Sequence, residues 1–119
     1  MKKMSGNIKF SDLFDKQKNF QTCLLYNKFN GTKVGEDIEW FKYHCLAMVE
    51  EMGEVMKSDK RWKTHRNERF VPDEKLDEIA DVFITAMNIA MFSGFSAEDV
   101  SNAIFTKINK NTERLEKVR

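Results

Sequence analysis

Two stretches of this sequence carry carboxylates three residues apart inside an apolar pattern of helical period. The first covers residues 48–55 (MVEEMGEV) and the second covers residues 77–82 (DEIADV). On an α-helix, residues three apart lie on one face about a turn apart, so Glu51 and Glu54 share a face. Acidic side chains seldom lie among core residues without a partner. The fold therefore has to place these two helices where their acids are compensated.

If the two helices pack side by side, four carboxylates converge. They are Glu51, Glu54, Glu78 and Asp81. At a separation of ~4 Å and an effective dielectric constant of ~20, each like-charge pair costs about 4 kcal/mol. Such a cluster requires cations, and Mg²⁺ is favoured because it prefers oxygen ligands and is commonly shared with substrate phosphates. The alternative is that the acids face outward on two amphipathic helices.

The composition predicts an all-α fold. Among 119 residues there are five glycines and one proline, and strand-like alternation is absent. We expect one domain over residues 1–119, with an ordered core over about residues 10–115. The net charge of +1 argues against a general nucleic-acid binder.

The sequence also bears on the compartment. The basic start is followed by no sustained apolar region, and no apolar run approaches the ~20 residues of a membrane span. Cys23 and Cys45 are the only cysteines, so we expect reduced thiols. Together these features predict a cytoplasmic protein without a membrane partner.

The apolar period and the capping residues predict four helices. Their expected bounds are Ser11 (N-cap) to about Phe29, near Asp37 to about Ser58, Asp73 (N-cap) to about Phe92, and Ser96 (capping box with Asp99) to about Leu115. Ser93-Gly94 predicts the stop of the third helix. Gly53 is unusual in a helix interior, where glycine costs about 1 kcal/mol relative to alanine. A close neighbour or a ligand would explain it, and plain tolerance is the alternative.

Polar side chains form stripes on three of these helices. On the third helix, which is apolar around much of its circumference and therefore predicted to be central, they are Glu78, Asp81, Thr85 and Asn88. On the fourth they are Lys107, Asn111 and Arg114, and on the first Gln17 and Gln21. A polar stripe along a buried helix lines a site or a subunit interface. Solvated faces are the alternative for the first and fourth helices.

The segment 59–72 loses the helical pattern and is rich in cations. Five of its fourteen residues are Lys or Arg, with Trp62 among them. Because the segment connects the two acidic motifs, it has to lie near the carboxylates. Cations beside a metal site suit a polyphosphate, and a solvated loop is the alternative.

With these motifs placed, the chain resembles the all-α nucleoside triphosphate pyrophosphohydrolases, the superfamily of MazG-like proteins and dimeric dUTPases. Their signature is EExxE, a spacer, then ExxD, which matches residues 50–54 and 78–81. Lys107 and Asn111 match a Lys-x-x-x-Asn element in the last helix, and residues 13–17 are similar to the Gln-bearing first helix of dimeric dUTPases. The resemblance implies a four-helix bundle of this type.

The resemblance also implies roles for individual residues. Glu51, Glu54, Glu78 and Asp81 would be ligands of two or three Mg²⁺ ions, for which Mn²⁺ could substitute. The catalytic acids would be Glu51, Glu54 and Glu50, the last as an additional ligand or as the base that orients the attacking water. The phosphate contacts would be Lys60, Lys63, Arg66, Lys107, Asn111 and Arg114. The nucleoside contacts would be Gln17, Gln21, Trp62 and Asn88.

The function expected from these residues and the resemblance is hydrolysis of a (d)NTP to monophosphate and pyrophosphate, in cleansing the nucleotide pool of dUTP, dCTP or modified nucleotides. A di-iron four-helix protein would need Glu-x-x-His on two helices, a spacing that neither acidic pair has. A helical binding or regulatory module without catalysis is the non-enzyme alternative. We expect a homodimer or homotetramer, because apolar surface is left over at Trp40, Phe92, Phe95 and Phe105.

Overall fold

The computed structural model of this chain describes residues 7–28, 37–63 and 70–118. Within these ranges the chain forms four α-helices and one short 3₁₀ helix, with no strand. The helices are α1 (Phe10–Lys28), α2 (Ile38–Ser58), α3 (Pro72–Phe92) and α4 (Ala97–Val118), and the 3₁₀ helix (Lys60–Trp62) follows α2. The predicted all-α, four-helix architecture is confirmed.

Side-chain caps start α2 and α4 at the predicted places. The Asp37 carboxylate accepts hydrogen bonds from the backbone N–H groups of Glu39 and Trp40, at 3.0 and 3.1 Å. Ser96 and Asp99 bond reciprocally: each side chain accepts from the other residue's N–H, at 3.1 and 3.0 Å. These bonds satisfy N–H groups that have no partner within the helix.

The ends of α3 are partly as predicted. Gly94 follows the helix with a φ of 86°, the left-handed conformation that glycine adopts without steric cost. The predicted N-cap at Asp73 is wrong, because Pro72 already occupies the first helical position. Proline lacks an N–H and has a preset φ, so the helix starts there without a side-chain cap.

The start of α1 also differs from the prediction. Ser11 lies inside the helix, which begins at Phe10. The Phe10 ring packs against Phe14, with centroids 5.9 Å apart, and contacts the buried core. Apolar packing therefore extends the helix past the residue expected to cap it.

The pair α2 and α3 runs antiparallel. At one end the Asp37 N–H donates to the Phe92 carbonyl at 3.1 Å, and at the other Lys75 donates to Asp59 at 2.9 Å. Helix α1 packs against α3 and α4. The two acidic motifs therefore lie side by side on neighbouring helices.

The buried core is small and lies where α1, α2 and the second half of α3 meet. Its apolar members are Phe14, Leu25, Met87, Met91 and Phe92. The His44 ring stacks on Phe92 at 5.1 Å, and its side chain is only 5% exposed. Its Nε2 has no hydrogen-bond partner among the described residues. The buried imidazole of His44 is therefore part of the core, a place that the apolar pattern of the sequence did not indicate for it.

Many of the apolar residues that give the helices their period are exposed in the single chain. On α4 they include Ala103, Ile104, Ile108 and Leu115, on α3 Leu76, Phe83 and Ile84, and on α2 Leu46, Val49, Met52 and Met56. The exposed fraction reaches 71% at Val49 and 67% at Phe83. Helix α3 is central, as predicted, in that it packs against both α1 and α2, but part of its apolar circumference is exposed in one chain. A helical period identifies an apolar face without saying which chain covers it.

The four aromatic residues predicted to remain on the surface divide into two pairs. Phe95 and Phe105 are exposed, as expected. Trp40 is half-buried and Phe92 is fully buried, so the prediction is wrong for these two. Their rings stack on each other at 6.0 Å where α2 meets α3, which removes them from the surface.

The chain is extended for its length. The radius of gyration of its Cα atoms is 17.5 Å, whereas a compact domain of 119 residues has about 13–14 Å. Both cysteines are free thiols. None of the described helices is by itself long and apolar enough to cross a membrane; α3 and α4 meet that criterion only as a pair bent by 114°.

Candidate metal and nucleotide site

Three carboxylates from the two acidic motifs converge between α2 and α3. Glu51, Glu78 and Asp81 each offer an oxygen, and these oxygens lie within 4.8 Å of one another. Glu51 and Glu78 are half-buried, whereas Asp81 is exposed. The helical spacing brings the second pair onto one face, and the antiparallel packing brings Glu51 opposite that face.

The cluster is electrostatically unfavourable without a counterion. The pKa of Glu51 is raised above its ordinary value, first by desolvation on burial and then by the charges of Asp81, Glu78, Glu50 and Glu54. The donor set consists of oxygen atoms alone, which fits Mg²⁺ or Ca²⁺ and not the nitrogen and sulfur ligands typical of Zn²⁺. The arrangement could therefore hold a hard divalent cation.

The other two glutamates of the first motif lie beside this cluster. Glu54 is half-buried and lines a hollow of about 270 Å³ that it shares with Lys57, Ser58 and Glu78. Its carboxylate pairs with Lys57 at 3.6 Å. Glu50 is exposed. Of the four predicted ligands, three converge; Glu54 lies outside that group and lines the neighbouring hollow together with Glu78.

The predicted phosphate contacts after α2 are only partly described. Lys60 lies in the 3₁₀ helix and Lys63 directly follows it, and both are half-buried. The Lys63 ammonium lies 5.3 Å from the centre of the Trp62 ring. Arg66 lies outside the described residues.

The polar stripe of α4 lies on an exposed face of that helix. Lys107, Asn111 and Arg114 are exposed, and α4 packs against α1. Lys107 lines a shallow hollow on the helix surface together with Lys110. The arrangement places these groups on an open face and leaves their predicted role in phosphate binding untested.

Two of the predicted nucleoside contacts meet each other. The Gln17 side-chain N–H donates to the Asn88 side-chain oxygen at 3.0 Å, which links α1 to α3. Gln21 is buried, so the view of it as a surface glutamine is wrong. Gln17 also lines an apolar groove of about 600 Å³ between α1 and α3, together with Phe20 and Phe83. The groove is large enough for a nucleoside-sized ligand.

Trp62, the fourth predicted nucleoside contact, lies in a different part of the structure from Gln17, Gln21 and Asn88. Its indole N–H donates to the Met56 carbonyl at 3.2 Å, which ties the 3₁₀ helix to the end of α2. Trp62 as a whole is 55% exposed. It therefore lies on the side of the molecule where the basic segment leaves α2.

Sequence reasoning missed Asp59 and Lys75, which join the two helices that carry the acids. The Asp59 carboxylate accepts from Arg61 and from Lys75, and these hydrogen bonds hold the pKa of Asp59 well below its usual range. The available signal was a single acid at the head of a cation-rich segment. Neither residue belongs to a motif, so their pairing becomes evident only in the fold.

No protein-family model matches this chain, and no characterised protein or solved structure matches it significantly.

Proposed function

We propose that this chain is a Mg²⁺-dependent nucleoside triphosphate pyrophosphohydrolase, which converts a (d)NTP to the monophosphate and pyrophosphate. The observation that carries the proposal is the convergence of Glu51, Glu78 and Asp81 within 4.8 Å. Bound Mg²⁺ would neutralise phosphate oxygens and acidify a water molecule. The resemblance to the all-α pyrophosphohydrolases supports the same reaction.

The residues around the cluster would supply the other functions that the reaction needs, which are a base, phosphate contacts and nucleoside contacts. Glu50 is exposed beside the cluster and can accept a proton from the attacking water. Lys60 and Lys63 lie on the segment that leaves α2 and can bind the leaving pyrophosphate. Gln17 lines the groove, where its side-chain amide can meet a base, and its hydrogen bond to the buried Asn88 holds it in place.

The cations of α4 would serve a neighbouring subunit. Lys107 and Arg114 are exposed on α4, which packs against α1. In a homodimer or homotetramer an exposed helix can complete a neighbour's site. We therefore propose phosphate binding by Lys107 and Arg114 only for the assembled oligomer.

A binding or regulatory module without catalysis is the second candidate. The exposed apolar residues on α2, α3 and α4 favour it, since contiguous apolar surface marks sites of protein association. Pyrophosphate release from a panel of dNTPs separates the two candidates. The non-catalytic candidate predicts none at any metal concentration.

The reaction itself can be tested by isotope and by substitution. We expect EDTA to abolish activity and Glu54→Gln to reduce it at least ~100-fold, which is roughly 2.7 kcal/mol of transition-state stabilisation. Glu39→Gln removes an exposed acid of the same helix and is the control. In ¹⁸O-labelled water, label in the monophosphate supports attack at the α-phosphorus. Label in pyrophosphate or in inorganic phosphate contradicts it.

A further inference from the structure

Asp59 joins the end of α2 to the segment that follows. Its carboxylate accepts two hydrogen bonds from the Arg61 guanidinium, both at 2.8 Å, and one from the Arg61 backbone N–H at 3.2 Å. The Asp59 side chain is only 12% exposed. A two-pronged contact between a guanidinium and a carboxylate fixes both partners in orientation.

The same carboxylate reaches the first turn of α3. Lys75 donates to Asp59 at 2.9 Å. The Phe70 ring, which precedes α3, lies beneath both cations: the Arg61 guanidinium carbon is 3.3 Å from the ring centre and the Lys75 ammonium 5.7 Å. Cations within ~6 Å of an aromatic face are attracted to it. Asp59 therefore clamps α2 to α3 at the end nearer the acidic motifs.

The clamp lies close to the acids along both helices. With a rise of ~1.5 Å per residue, Glu51 is about 12 Å from Asp59 along α2, and Glu78 about 4.5 Å from Lys75 along α3. A slip of one helix by a single residue would move one set of carboxylates by about 1.5 Å relative to the other. Mg²⁺ demands near-ideal geometry with bonds of ~2.0–2.1 Å, so a slip of that size would spoil a shared site.

We propose that Asp59 and Lys75 are a positioning pair, which sets the axial register of α2 against α3 so that Glu51, Glu78 and Asp81 converge on one cation. The proposal rests on the metal site of the proposed function. It assigns Arg61 and Lys75 to the clamp, because their charges are already paired with Asp59. Phosphate binding is left to other cations of the segment.

Titration calorimetry with MgCl₂ tests the pair without reference to activity. Substitution of a residue that orients metal ligands typically weakens metal affinity ~10–100-fold. We therefore expect Lys75→Met and Asp59→Asn to weaken Mg²⁺ binding at least ~10-fold, at a temperature where circular dichroism shows each variant fully folded. Lys75→Arg retains the charge and the donor and is expected to remain within ~3-fold of the wild type.

Glu39→Gln is the matched control, because it also removes one carboxylate from an ion pair on α2 but leaves the clamp intact. Its Mg²⁺ affinity is expected to equal that of the wild type. An unchanged affinity in Lys75→Met, or an equal loss in Lys75→Arg, would overturn the proposal. If Lys75→Met does not fold, Asp59→Asn decides by the same measurement.

The result also separates this inference from the proposed reaction. Mg²⁺ binding that weakens in Lys75→Met, in a protein that releases no pyrophosphate, would sustain the clamp and refute the reaction. Pyrophosphate release that is lost with EDTA, together with unchanged affinity in both clamp variants, would do the opposite. A wild-type chain without measurable Mg²⁺ binding would refute both.

Discussion

At the scale of single residues, the ionised Glu51 carboxylate lowers the stability of the metal-free fold and is also a candidate ligand for a cation. Its pKa is raised by burial and by four neighbouring carboxylates, so ionising it costs more in the folded chain than in the unfolded one. Its contribution to stability is therefore greatest at acidic pH and is lost as the pH rises from 4.5 through the raised pKa. At neutral pH the fold carries this cost until a cation compensates it.

We predict that Glu51→Gln raises the melting temperature of the metal-free protein at pH 7 and removes most of the further rise that millimolar Mg²⁺ gives the wild type. The first effect follows from loss of repulsion, and the second from loss of a ligand that binds only the folded state. Thermal unfolding with EDTA and then with MgCl₂ measures both. A metal-free Glu51→Gln protein that melts below the wild type at pH 7 would contradict the electrostatic argument.

His44 is the second residue whose charge the fold opposes. Burial lowers its pKa from 6.5, and its ring neighbours are the aromatic residues Trp40, Tyr43 and Phe92. An unfolded chain therefore binds a proton that the folded chain does not, and stability falls as the pH drops below about 6.5. The aromatic contacts explain why the imidazole is tolerated when neutral.

We predict that the free energy of unfolding of the wild type falls between pH 7.5 and 5.5 more steeply than that of His44→Leu. Leucine fills a similar volume and cannot be protonated, while other titrating groups are common to both proteins. Urea unfolding at several pH values gives the two slopes. Parallel slopes would show that His44 is protonated equally easily in both states.

At the scale of helices, the surroundings of Gly53, the interior glycine of α2, exclude one of the explanations that the sequence left open. A Cβ built on Gly53 would meet no atom within 4 Å among the described residues. No close neighbour in the described part of the chain therefore requires glycine here. Either the position simply tolerates glycine, or a ligand or another subunit occupies the space.

We predict that Gly53→Ala raises the free energy of unfolding of the isolated chain by about 1 kcal/mol, the difference in helix propensity between the two residues. Chemical denaturation measures it, and activity is expected to be retained. A stabilised protein without activity would mean that substrate or a partner chain needs the space beside Glu51 and Glu54.

The sequence predicted the helices better than their packing. The acidic spacing, the start of α2 near Asp37 and the Ser96–Asp99 box depend on residues within a few positions of each other, so local chemistry was sufficient. The convergence of Glu51 with Glu78 needed only the side-by-side packing of two helices. The Asp59–Lys75 clamp joins residues from different elements without a repeating pattern, and no periodicity could reveal it.

The same limit applies to the buried faces. The apolar residues of α4 recur at a helical period, but Ile108 is 57% exposed. A period shows that a face avoids water and cannot show whether the cover comes from the same chain. The predicted phosphate binding by Lys107 depends in the same way on which chain lies beside α4.

At the scale of the whole molecule, the exposed apolar faces of this extended chain favour association with another chain. Leu46 and Val49 on α2, Phe83 on α3 and Ile108 on α4 all lie on the surface. Stable interfaces bury about 800 Å² per partner and have an apolar centre. Surfaces on three helices of one chain can supply that area in a dimer or tetramer.

We predict that the chain is a homodimer or homotetramer at micromolar concentration, and that Phe83→Glu or Ile108→Glu shifts it toward the monomer. A buried, unpaired glutamate opposes association because its carboxylate loses water without gaining a partner. Thr106→Glu adds the same charge to an exposed position on the opposite side of α4 from Ile108 and is expected to leave the assembly intact. Sedimentation velocity on the four proteins measures the outcome. A wild-type monomer would show that these faces stay exposed, and the α4 cations would then have no route to a neighbour's acids.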